Sequence, residues 1–214
     1  MSDVETDQEP HALLAAWKGG DESVARFLVE LTYPQLVRFF RNKVTHAPDE
    51  DDLVQQCMLA IIASPATPDR REVFWGLVYG IARNVLRQHV RQKHKRAREE
   101  LDFDVVCIHD LAPRSLSSLA VRGGEVRAFI EALRRVSIAD QTLLELRFFQ
   151  GLTAVEISEA LEIPRGSVQR RLDASVERLR QRIAEQTGGV GRPRSLPPLD
   201  ALNAWAAEVR ARMP

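Results

Sequence analysis

Arg165, Gln169, Arg170 and Arg171 crowd the start of one amphipathic stretch, and Arg83, Arg87, Arg91 and Arg96 recur along another. Guanidinium and amide groups in such patterns suit nucleic acid. In the major groove Arg and Gln pair bidentately with guanine and adenine edges. The first turns of a recognition helix reach those edges, and its exposed N–H groups also favour phosphate. Covalent chemistry has little support. No paired carboxylate site, metal cluster, nucleophile elbow or phosphate loop stands out, so the chain reads as a non-enzyme without a cofactor. Cys57 and Cys107 are isolated, with no CxxC or zinc spacing, and read as free thiols of a reducing compartment. His89 and His94 sit in the basic run, where they flank or touch phosphate rather than bind metal.

The charges are balanced in total, with 30 basic and 30 acidic residues, but not in position. Acid collects at Asp49, Glu50, Asp51 and Asp52 and again between residues 99 and 124. Base collects at residues 83–98 and 165–171, and segregation of this kind separates surfaces for different partners.

The elements that carry these groups read as helices. Hydrophobic residues make up 44% and charged residues 28%, a globular composition, and no useful length alternates with period two. The expected fold is therefore all-α. Helices are expected over residues 12–17 and 24–44, with Pro34 kinking or breaking the second. Gly19 and Gly20 separate the two, with Asp21 or Ser23 as a cap. A third helix is expected over residues 49–63, its first turn acidic as the helix dipole favours, and ended by Pro65 and Pro68. A long basic helix follows over residues 71–98.

Residues 99–124 break the pattern with acids, Pro113 and Gly123-Gly124, and read as an acidic linker. Loops of about 25 residues are uncommon inside one compact domain, so two domains are expected. Helical stretches then cover residues 126–133, 140–149, 153–162 and 167–185. Thr153 and Glu156 form a capping box, Ile163 to Gly166 a corner, and Ser167 a cap for the last of these helices. Two short helices across a tight corner form a helix–turn–helix. Residues 187–198 read as a second linker, and residues 200–212 as an amphipathic helix carrying Leu202, Trp205, Ala206 and Val209. No apolar run is long enough to span a bilayer and the N-terminus is acidic and polar, so a cytoplasmic protein with no membrane insertion is expected.

Three stretches resemble one family. "DDLVQQCMLAII" (51–62), "VYGIARNVLRQHVRQKHKR" (78–96) and "LLELRFFQGLTAVEISEALEIPRGSVQRRL" (143–172) look like the motifs of bacterial sigma-70 factors of the extracytoplasmic-function (ECF) type, in the right order. The resemblance implies sigma region 2 over residues 1–98, an acidic linker over 99–124 and sigma region 4 over 125–186, with a tail of unassigned role over 187–214. It implies that Asp51, Asp52, Leu53, Gln55, Gln56 and Met58 dock on the β′ clamp helices of RNA polymerase, with the β flap as a further polymerase contact. It gives −10 promoter recognition and melting to Arg70, Arg71, Arg83, Asn84, Arg87, Arg91 and Arg96. It gives −35 recognition to Arg165, Ser167, Gln169, Arg170 and Arg171, and adds an anti-sigma protein as a candidate partner.

Melting costs about 1–2 kcal/mol per base-pair step, and a dense basic helix beside a small loop suits that task. The sequence departs from the family pattern at Leu77, where the family has Trp, at Gln88 in place of Asp, and at Asp173-Ala174-Ser175-Val176, which lacks a common Arg. The other reading, a stand-alone helix–turn–helix regulator, accounts for residues 126–185 and leaves the first two motifs unassigned.

Overall fold

The computed structural model describes residues 9–41, 43–44, 47–93, 106–107, 124–161, 163–187 and 197–212. Arg96, His94 and nearly all of the expected acidic linker lie outside the described residues. Four helices come first: α1 (Pro10–Lys18), α2 (Ala25–Arg41), α3 (Ala47–Ala63) and α4 (Arg71–Lys93). Five follow: α5 (Gly124–Arg135), α6 (Ile138–Phe148), α7 (Ala154–Leu161), α8 (Arg165–Thr187) and α9 (Leu199–Arg212). Among the described residues the only extended pairing is a single bridge between Cys107 and Ser137.

Local chemistry sets most boundaries. Gly20 takes φ +93°, where a side chain would be strained, and Asp21 caps the short turn after it by accepting from the Ser23 N–H. Ser137 caps α6 by accepting from Asp140 N at 3.1 Å. Of the two outcomes expected at Pro34 the break does not occur, and the expected cap at Ser167 is corrected. Pro34 sits inside α2 without ending it, although its ring removes one helix bond. Leu28, Leu36, Val37, Phe39 and Phe40, on either side of it, are buried, and that packing keeps the helix running through. Ser167 does not cap α8. The helix starts earlier because the Pro164 carbonyl already accepts from Ser167 and Val168, at 2.8 and 3.1 Å, which places Ser167 inside the first turn.

The apolar side chains gather into two clusters. The first joins α1–α4 to Leu143 and Leu146 of α6, Ile157 of α7, and Val168 and Leu172 of α8. The second lies among α5, α6, α8 and α9, around Phe129, Leu133, Leu144, Phe148, Leu179, Leu202 and Ala206. The front and rear halves of the chain are thus packed against each other. They come close at Gly76 of α4, where a methyl group would collide with the backbone of Ala160 in α7.

Candidate polymerase and promoter interface

One face of α3 is exposed and the other is buried. Val54, Cys57 and Ile61 are in the core, and burial pushes the Cys57 thiol up to about 12. Asp51, Asp52, Gln55 and Gln56 are exposed, and Leu59 on the same face is 69% exposed. The spacing i, i+1, i+4, i+5, i+8 makes these five one contiguous stripe. The sequence reading did not place Leu59 on this exposed face. It also counted Leu53, which the structure buries at 2% exposure, and Met58, which is half-buried with its sulfur accepting from Thr32 Oγ1 at 3.3 Å. An aliphatic stripe wider than one row hides which leucine faces out, because both rows share the helical period.

The loop between α3 and α4 is held by Lys18. Its Nζ donates to the Ser64 carbonyl at 2.6 Å and to the Ala66 carbonyl. At the loop's end Arg70 pairs with Glu159 of α7 at 2.7 Å, and Arg71 is exposed. Along α4, Arg83, Asn84, Arg87 and Arg91 all point outward. Arg83 and Asn84 share a cavity of about 260 Å³ with Tyr79, Thr142, Ile163 and Arg171. Arg83 and Asn84 of α4 and Arg171 of α8 therefore line one small gap.

The corner before α8 is fixed from several sides. The capping box forms as read: Thr153 N donates to Glu156 Oε2 at 2.5 Å, and Glu156 N to Thr153 Oγ1 at 3.3 Å. Those bonds hold the Glu156 carboxyl below its usual range. Ser158 Oγ donates to the Ile163 carbonyl at 2.6 Å, tying the corner back to α7. Arg165, Gln169, Arg170 and Arg171 are exposed on α8, and Gln169 donates to Asp173 Oδ1 at 2.8 Å. Asp140 of α6 sets the roll of α8: it accepts from Ser175 Oγ at 2.6 Å and from Arg178 Nε and Nη2, both at 2.8 Å. The sequence reading passed over Asp140, Ser175 and Arg178, since a bond between residues 35 or 38 apart leaves no local pattern.

The family model for ECF sigma factors matches residues 8–185. The chain belongs to the ECF sigma factor family. Among curated relatives, the ECF RNA polymerase sigma factor SigF of Caulobacter vibrioides is 28% identical over 182 residues, covering 85% of this chain and 98% of SigF. The ECF RNA polymerase sigma factor SigD of Mycobacterium tuberculosis is 26% identical over 179 residues, covering 80% of this chain and 82% of SigD. As an ECF sigma factor the chain is an alternative sigma factor that works with RNA polymerase core in promoter-specific transcription initiation. The match takes in the α3 stripe, the α3–α4 loop, the described part of α4 and the α8 corner; α9 lies beyond it. No helix among the described residues is long and apolar enough to cross a membrane.

Proposed function

We propose that this ECF sigma factor divides its work among three surfaces, within a region 2 over residues 1–98 and a region 4 over residues 125–186. The stripe of Asp51, Asp52, Gln55, Gln56 and Leu59 docks on the β′ clamp helices, with one exposed apolar side chain inside a polar rim. Arg71, Arg83, Asn84, Arg87, Arg91 and Arg96, with Arg70 once it leaves Glu159, hold and melt the −10 element. The start of α8, carrying Arg165, Gln169, Arg170 and Arg171, reads the −35 element in the major groove, with the β flap as its polymerase contact. The protein acts in the cytoplasm. The observation that carries this reading is the exposed α3 stripe: its apolar neighbours are core, and nothing in the chain covers it among the described residues.

Core polymerase pull-down and run-off transcription on a genomic promoter library test the proposal. Wild type binds core at sub-micromolar concentration and starts at a discrete promoter set. Asp52→Ala with Leu59→Ala loses core binding while keeping its helicity. Full core binding by that double variant would refute the assignment of α3.

A further inference from the structure

The tail helix α9 reaches both halves of the chain. Its apolar face is built into the rear half, where Leu202, Ala206 and Val209 are 2% exposed or less. Trp205 packs 6.3 Å from the ring of Phe129, and Arg180 Nε donates to the Pro197 carbonyl at 2.6 Å where the tail enters. At the other end Arg210 donates to the Phe148 carbonyl of α6. The Arg210 carbonyl in turn accepts from Arg38 Nη2 of α2 at 3.2 Å. A carbonyl in the last turn of a helix is a favoured acceptor for a cation.

Arg38 leads on into the front half. It is 6% exposed, lies 5.8 Å from the centre of the Phe149 ring and donates to Gln35 Oε1 at 2.9 Å. That oxygen also accepts from Gln150 Nε2 at 3.0 Å, and Gln150 Nε2 donates to the Tyr79 hydroxyl of α4 at 2.9 Å. One polar network therefore runs from α9 through α2 and the α6–α7 loop to the promoter-facing helix α4.

The arrangement it braces is incompatible with promoter DNA. Elements named −10 and −35 lie about 25 base pairs apart, ~85 Å along duplex at 3.4 Å per step. Here Arg83 and Arg171 line one cavity of about 260 Å³, and Glu159 occupies Arg70.

We infer that α9 is an internal strap, anchored on α5 and α6 and latched to α2 through Arg38, that reinforces the apolar packing between the front and rear halves and keeps the two promoter readers shut against each other until it is released. The shut state rests on the geometry alone; its meaning as inhibition rests on the sigma-factor reading above.

Two variants of the protein test the strap. One ends after Thr187 and removes α9. The other, Arg38→Ala, cuts the latch and leaves the apolar seat of α9 intact. X-ray scattering of the polymerase-free protein reads closure directly; a compact chain of this length has a radius of gyration of about 17 Å. Both variants are expected to expand by several ångströms. Both should bind a mixed-sequence DNA duplex several-fold more tightly at low salt and raise run-off transcription several-fold at limiting core polymerase. If the truncated chain loses more helix than α9 itself contributes, Arg38→Ala decides alone. Scattering and duplex binding unchanged from wild type in Arg38→Ala would overturn the strap. Expansion of Arg38→Ala without any core binding by the wild type would instead overturn the proposed docking of α3 on core polymerase and leave the strap standing.

Discussion

The two seams that hold this molecule together differ in kind. The seam between α9 and the α5–α6 pair is dry, made of Leu202, Ala206, Val209, Phe129 and Phe148. The seam between the front half and α6 has ions in it. Lys43, just after α2, donates to Glu145 Oε1 of α6 at 2.5 Å, with side-chain exposures of 0% and 2%. Lys43 also donates to the Phe39 carbonyl at 3.1 Å and lies 3.6 Å from the centre of the Phe39 ring. Burial pulls the Lys43 ammonium down to about 8 and pushes the Glu145 carboxyl up, so desolvation outweighs the mutual attraction for each. Glu145 Oε2 has no partner among the described residues. A buried pair with one unsatisfied oxygen adds little net stability, whereas a dry apolar seam contributes about 25 cal/mol per Å² buried. The ion pair therefore adds little to a front–rear contact that the first apolar cluster holds, whereas α9 is kept on the rear half by apolar burial.

The largest predicted effect strikes the polar seam. Glu145→Ala strands a buried ammonium and should weaken the closed arrangement by about 3–5 kcal/mol. Scattering should then show an open chain whose helicity is unchanged. The paired replacement Lys43→Met with Glu145→Leu sharpens the same contrast, since it should keep the chain closed and raise its melting temperature. Next comes the dry seam. Leu202→Ala should cost about 3 kcal/mol, seen as a lower denaturant midpoint for the rear half, with earlier exchange of α5 amides.

Gly76→Ala should cost the α4–α7 contact about 2 kcal/mol through overpacking while improving the helix propensity of α4. It should therefore open the chain, in scattering, without lowering the helical signal of α4. The smallest effect is local. Thr153→Ala removes half of the capping box and should cost about 1 kcal/mol, read as a small drop in melting temperature with closure retained.

The sequence disclosed what neighbours in the chain decide. The Thr153–Glu156 box needs only residues three apart, and it forms in the structure. The apolar stripes of α3, α4 and α8 were legible because periodicity is itself the signal. The helix of the tail was legible too, from Leu202, Trp205, Ala206 and Val209, but its seat on Phe129 was not. Whether Pro34 breaks its helix was not legible, because its cost is local while its compensation, the burial of Leu28 and Phe40, is tertiary. Leu53 and Leu59 are equivalent letters on a wide stripe, and only packing sorts one inward and the other out. Lys43 and Glu145 stand 102 residues apart, and Arg38 and Arg210 stand 172 apart. Isolated charges at such separations look like ordinary surface residues until the fold brings them together.

Energy transfer between dyes on Asp69 and Val155, two exposed positions flanking the Arg70–Glu159 pair, tests the central claim most directly. In the free protein high transfer is expected, because α4 and α7 are in contact. On addition of core polymerase and promoter DNA near-complete loss of transfer is expected, as the proposed readers separate towards the ~85 Å that the two elements demand. Transfer that stays high in the active promoter complex would contradict the claim that this sigma factor must open to read DNA.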